Sequence, residues 1–169
     1  MPPVRPTLSH VGEAGEARMV DVGAKAITAR TASAEGFVRI SPELQQAITQ
    51  NTVKKGSVLE VARLAGILAA KRTDELIPLC HTLPLDALDI VFTQQPGRIR
   101  VEATARTNAR TGVEMEALTA VTVACLTIID MGKAIDKHMI IEGVRVISKT
   151  GGRSGPFTAP PSPNSEPNA

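Results

Sequence analysis

Leu118-Thr119-Ala120-Val121-Thr122-Val123-Ala124-Cys125-Leu126-Thr127-Ile128-Ile129 carries no charge and, wound as an α-helix, is apolar on nearly every side. A helix of that kind is buried all round. The pattern extends in both directions and predicts a helix from about Val113 to Lys137. Upstream, Leu88 to Thr93 and Arg98 to Thr107 read as strands joined at Gln95-Pro96-Gly97, a turn signal that makes them a hairpin. Downstream, Met139 to Ser148 is a strand rich in Ile and Val.

Further toward the N-terminus, Val58, Val61, Ala62, Ala65 and Leu68 recur at helical spacing and predict a helix from about Ser57 to Arg72. Ser57 and Glu60 form a capping-box pattern at its start. Ser41-Pro42-Glu43 opens another helix, with Ser as N-cap and Pro at the first helical position. Phe37 to Ile40 reads as a short strand, Pro78 to Pro84 as a loop, and Ala17 to Arg30 as ambiguous. The element order, strand-helix-strand-strand-helix-strand, predicts an α+β, ferredoxin-like βαββαβ sandwich. One sheet covers one face of a helix buried all round, so a second subunit is expected on another, and the protein is expected to be oligomeric. Residues 8–155 are read as one domain, with residues 1–7 and 156–169 as disordered tails rich in Pro and polar residues.

Composition narrows the function. The chain has 169 residues, three Phe and neither Trp nor Tyr, so the stacking platforms that hold single-stranded nucleic acid are missing. A net charge of +2 implies no polyanionic partner, although local lysines can still build an anion pocket. Cys80 and Cys125 lack paired spacing, which disfavours a disulfide framework or zinc ribbon and suits the cytoplasm. No uninterrupted apolar stretch approaches the length that spans a membrane.

Four constellations could carry chemistry. Leu79-Cys80-His81 sits between prolines, where a His can bind phosphate, shuttle a proton, or simply bond to backbone. Glu114-Met115-Glu116 begins the long helix, where carboxylates complement the dipole. Two residues apart they cannot line one helical face, so one is expected in the turn before the helix. Asp130, Lys133 and Lys137 share a face at the other end, either as a solvated strip or as a partly buried proton-transfer pair of Asp130 with Lys133. Lys149 to Gly155 and Lys54-Lys55-Gly56 set cations beside glycines, where backbone amides can approach an anion. Metal ligation by Cys80 and His81 lacks two further partners at workable spacing. Glu116 and Asp130 lie 14 residues apart, about 21 Å along a helix, so a substrate touching both needs two subunits.

Met19 to Val22, Val58 to Thr73, Leu76 to His81, Gly112 to Ala120 and Asp130 to Lys137 together closely resemble the molybdenum-cofactor biosynthesis protein C family, the cyclic pyranopterin monophosphate synthases. The resemblance runs in order from about Leu8 to Gly155. It implies a lyase that converts a cyclised dihydro-GTP derivative, made by an upstream radical SAM GTP cyclase, into cyclic pyranopterin monophosphate with loss of diphosphate. No cofactor is implied. It implies catalytic Asp130, Lys133 and Lys55, substrate-binding Leu79, Cys80, His81, Glu114, Met115, Glu116 and Lys149, and a cytoplasmic homohexamer, a trimer of dimers with sites at subunit contacts. Gly132 stands where Cys is frequent in the family and Arg153 where Lys is usual. Arg at 153 keeps the charge but not the ability to trade a proton.

Overall fold

In the computed structural model the described residues are 14–153 and 155–161. The elements are β1 (Thr28–Arg39), α1 (Pro42–Thr49), α2 (Val58–Ala70), α3 (Thr73–Leu76), β2 (Ala87–Gln95), β3 (Arg98–Ala109), α4 (Glu114–Gly132), β4 (Ile140–Thr150) and β5 (Phe157–Thr158). All pairings are antiparallel, in the order β2-β3-β1-β4-β5. This is an α+β protein with an open five-stranded sheet, and its order β2-β3-β1-β4 is compatible with the expected ferredoxin-like arrangement. The predicted hairpin forms, with Gly97 at φ +70° in its turn. Residues 1–7, read as a tail, lie outside the described residues. The segment after 155, also read as a tail, contributes β5, which pairs with Ser148 and Lys149 of β4.

β1 is three times longer than the four-residue strand expected from Phe37. Its first part, Thr28 to Gly36, has no large apolar residue because one face must lie close under α4. Ala32 and Ala34 there are fully buried, and a Cβ at Gly36 would stand 2.7 Å from Val121 Cγ1. Small residues conceal a strand from any reading of propensity, since packing and not side-chain preference selects it. The opposite face is charged: Glu35, 2% exposed, receives Arg100 at 2.8 Å and Arg145 at 2.9 Å. Two guanidiniums compensate the buried carboxylate.

Helix α1 starts as read, with Ser41 Oγ accepting from the Leu44 amide. The capping box at α2 does not form. Ser57 occupies the N-cap position without a side-chain bond, and Glu60 instead pairs with Arg63 at 3.3 Å. Arg63 also lies over the Phe92 ring, 5.2 Å from its centroid, which gives it a reason to draw Glu60 away from the helix start. α2 packs on α4 through Gly66, where a Cβ would meet Ile90 Cδ1 at 2.6 Å and the Ala120 carbonyl at 2.8 Å. A side-chain tip can move, but a carbonyl inside a helix cannot. Gly66→Ala is therefore expected to destabilise the protein by about 1–3 kcal/mol despite its better helix propensity, measured by urea denaturation; a more stable variant would contradict the close packing.

α4 ends at Gly132, five residues before the expected Lys137. Asp136, 6% exposed, leaves the helix to accept from the amides of Ser41 at 2.7 Å and His138 at 2.8 Å, joining this corner to the start of α1. Lys137 consequently shares no helical face with Asp130 and Lys133. Nor is α4 buried all round within one protomer: Ala117, Ala120, Val121, Ala124, Cys125 and Ile128 are fully buried, whereas Leu126 is 53% exposed. By length and mean composition alone α4 is apolar enough to cross a membrane, although Glu114, Glu116 and Asp130 interrupt it. Its apolar side packs on the sheet and α2, as the core helix of the domain. Burial pushes the Cys125 thiol up to about 12, leaving it an inert core group.

Candidate active site

The N-terminal end of α4 opens on a pocket of about 730 Å³ between β1, the end of β4 and the loop before the helix. Lys25, Arg30, Arg110, Lys149 and Arg153 line it against a single carboxylate, Glu114. Glu114 is itself neutralised by Lys149 Nζ at 2.9 Å. Val113 provides no side-chain cap, so the helix amides and their partial positive charge are left to the pocket end. Cations and uncapped helix amides facing one half-open pocket suit the binding of an anion.

Local sequence explains how it is built. Gly151 and Gly152 have φ of +90° and +82°, and a Cβ on Gly152 would collide with the Arg30 guanidinium. Glycine thus lets the β4 turn close over Arg30, whose buried Nε has no hydrogen-bond partner. Gly112 has the same effect for Glu114, because a Cβ there would overlap its carboxylate. Lys149 and Arg153 were anticipated as anion ligands, but Lys25, Arg30 and Arg110 were not. A charged residue at position 30, next to a run of Ala and Thr, was the available signal, and it required knowing that Thr28 to Gly36 is strand.

Glu114 and Glu116 both lie in the first turn of α4, correcting the expectation that one precedes the helix. They diverge as spacing requires: Glu114 faces the pocket, while Glu116 is 4% exposed and its Oε2 has no partner. Burial above all, then the charges of Glu114 and Asp74, push the Glu116 carboxyl up to about 7, against an opposing backbone hydrogen bond. It can therefore hold or release a proton near neutrality. Cys80 lies close enough that burial, Glu116 and Asp74 together raise its thiol, which stays protonated. Leu79 and His81 are half-buried in the same loop, and Met115 is 37% exposed on the helix. The loop is pinned by the Cys80 amide on the Ile77 carbonyl at 3.0 Å and by the hydroxyls of Thr82 on Asp74 and Thr107 on Pro84, both at 2.5 Å.

At the C-terminal end of α4, Asp130 receives Lys133 Nζ at 2.7 Å and Lys55 Nζ at 2.9 Å. Lys55 Nζ also donates to the Asp130 carbonyl at 2.8 Å, so it reaches to this helix end and not to the start of α2. Asp130 is 57% exposed, which overturns its expected partial burial. Lys133 first and Lys55 second hold its carboxyl down at about 2. Both lysines favour its ionised form, and within one protomer Asp130 anchors the two ammonium groups. Met131 and Gly132, which complete the helix, are buried, so Asp130 occupies the solvent side of the last turn.

The anticipated residues thus fall into two groups, Glu114, Met115, Glu116, Lys149 and the Leu79-Cys80-His81 loop at one end of α4, and Lys55, Asp130 and Lys133 at the other. Among the described residues no cluster of three or more His, Cys, Asp or Glu is arranged to hold a metal.

Fold and site define an α+β protein with an anion pocket and a poised carboxyl at one helix end and a lysine pair at the other. The chain belongs to the MoaC family, whose model matches residues 19–152. It is 58% identical over 150 residues to the cyclic pyranopterin monophosphate synthase of Chloroflexus aggregans, covering 88% of this chain and 91% of that one. Synthases of the same name from Corynebacterium efficiens and Cereibacter sphaeroides are each 54% identical, over 89% and 90% of this chain and 97% of theirs.

Proposed function

We propose that the chain is a cyclic pyranopterin monophosphate synthase of molybdenum cofactor biosynthesis, a lyase acting on a cyclised dihydro-GTP triphosphate and releasing diphosphate. The observation that carries this reading is the pocket with five cations around one carboxylate, in a member of this family. Lys149, Arg30, Arg110, Lys25 and Arg153 hold the triphosphate and stabilise the charge that develops as diphosphate leaves. A substrate hydroxyl closes on the α-phosphorus, its proton passes to a base, and the α–β bridging bond breaks toward diphosphate. Glu116, poised near neutrality, and Lys133, anchored with Lys55 on Asp130, carry the protons of ring opening and pterin closure. Leu79, Cys80, His81, Met115 and Glu114 shape the pterin side.

Both helix ends serve one reaction only if neighbouring subunits bring opposite ends together. The functional unit is then an oligomer, for which the family resemblance implies a homohexamer, a trimer of dimers, and the exposed Val61, Leu64 and Leu68 on α2 with Leu126 on α4 supply apolar surface for such contacts. The enzyme works in the cytoplasm beside the radical SAM GTP cyclase that makes its substrate. Incubation with the cyclised GTP intermediate is expected to release one diphosphate per pterin, the latter read by fluorescence after oxidation. Consumption without diphosphate, or no consumption, sinks the reading.

A further inference from the structure

Met19-Val20-Asp21-Val22 stands out in the sequence, yet none of its side chains enters either half-site. Its backbone does make a contact there: the Val20 carbonyl lies 2.8 Å from His81 Nε2. A carbonyl oxygen can only accept, so the proton of this bond sits on Nε2 of the ring. Among the described residues Nδ1 has no partner, and it is the one ring atom left to meet a ligand.

The segment is held in place by its own turn. Asp21 Oδ1 accepts from the Gly23 amide at 2.7 Å, and the Lys25 amide donates to the Val22 carbonyl at 3.0 Å. Side-chain acceptance two residues on is a compact way to rigidify a strap that has no ladder of its own here. Gly23 is the residue that fits, since a Cβ there would stand 3.1 Å from Asp21 Oδ1. The chain on either side of His81 is held independently, by the Cys80 amide on the Ile77 carbonyl and the Thr82 hydroxyl on Asp74.

We propose that Met19 to Lys25 is a positioning strap for His81: the Asp21 turn holds the Val20 carbonyl against Nε2, which fixes the ring and directs Nδ1 as its functional nitrogen. Asp21 is then a positioning residue, acting through His81. That Nδ1 serves the lyase reaction rests on the function proposed above; the ring's anchoring does not.

Proton and nitrogen NMR of the full-length protein, with His81 assigned by its loss in His81→Gln, tests the anchor without any substrate. The expected result is a slowly exchanging Nε2 proton with a cross-peak to the Val20 or Asp21 backbone. Asp21→Ala is expected to speed that exchange roughly fivefold, as the loss of one hydrogen bond implies, while Asp21→Asn, which keeps the acceptor, leaves it near wild type. An unprotonated Nε2, or exchange unchanged in Asp21→Ala, overturns the proposal. In the pterin assay Asp21→Ala is expected to lower kcat/KM roughly tenfold or more through misplacement, to be rescued by Asp21→Asn, and to add nothing in a His81→Gln background. A full additional loss in that background overturns action through His81. An inactive wild-type protein with the NMR result intact would instead reject the proposed function.

Discussion

Lys133→Ala and Glu116→Gln are each expected to lower pterin formation by about 10²- to 10⁴-fold, the range for removing a proton-transferring group. Protein co-expressed from the two variants in equal amounts should recover about a quarter of the wild-type sites. The argument is geometric. Lys133 follows the last turn of α4 and Glu116 lies in its first, so most of the helix, about 25 Å, separates them. No side chain spans that length, and a single protomer cannot bring both to one small substrate. If opposite ends meet across a subunit contact, a mixed assembly contains sites whose Lys133 comes from one variant and whose Glu116 comes from the other. Half of the positions of each kind are intact, so one site in about four is complete. Activity that stays at the level of the single variants, with mixed oligomers verified by mass spectrometry, would place the whole reaction at one end of the helix.

Glu116→Gln has a second consequence, on stability, with a sign that follows from proton linkage. The folded protein holds the Glu116 proton up to about 7, against an ordinary value of 4.5. Between those values the folded state binds more protons than the unfolded one, so stability falls as pH rises through the window and levels off above it. The carboxylate form costs at most about 3 kcal/mol at pH 8. Gln has nothing to ionise, so the variant should be more stable than wild type at pH 8, by up to that amount, and about equal at pH 4. Urea denaturation at fixed protein concentration reads the difference, the concentration being held because assembly contributes to stability. Parallel curves for the two proteins from pH 4 to 8 would show that Glu116 titrates normally. Asp130 behaves in the opposite sense: its lysine partners favour the ionised form in the folded state, so its contribution is present at neutral pH and is lost as pH falls through 3.8 toward about 2.

Which parts of the site were legible depended on how local the signal was. The motifs Leu79-Cys80-His81, Glu114-Met115-Glu116 and Asp130 to Lys133 were visible because their residues are contiguous, and the contact of Lys133 with Asp130 is a one-turn neighbour relation. The burial of the carboxylates at both helix ends was not legible from the same residues. Asp130 follows an uncharged run and was expected to be buried, yet it occupies the solvent side of the last turn beside two lysines. Glu116 could be read as a dipole-complementing or a substrate-binding carboxylate, but its burial and unpartnered oxygen could not be read from its neighbours. Burial is a property of what packs against a residue, and nothing adjacent in the chain reports it. Arg30 shows the same limit, because its place in the pocket comes from a turn more than a hundred residues away in the sequence.

The class of fold, the core helix, the hairpin and the residue types available for chemistry were all legible before any tertiary contact was known. Those follow from hydrophobic period and turn residues, which act over a few neighbours. Packing between distant segments set the first strand's length, the ends of α4, the carbonyl beside His81, and the opposite shifts of a carboxyl raised by burial and one lowered by lysines. Each of these is set by contacts between segments distant in sequence, where close packing selects the backbone and desolvation against charge selects the ionisation.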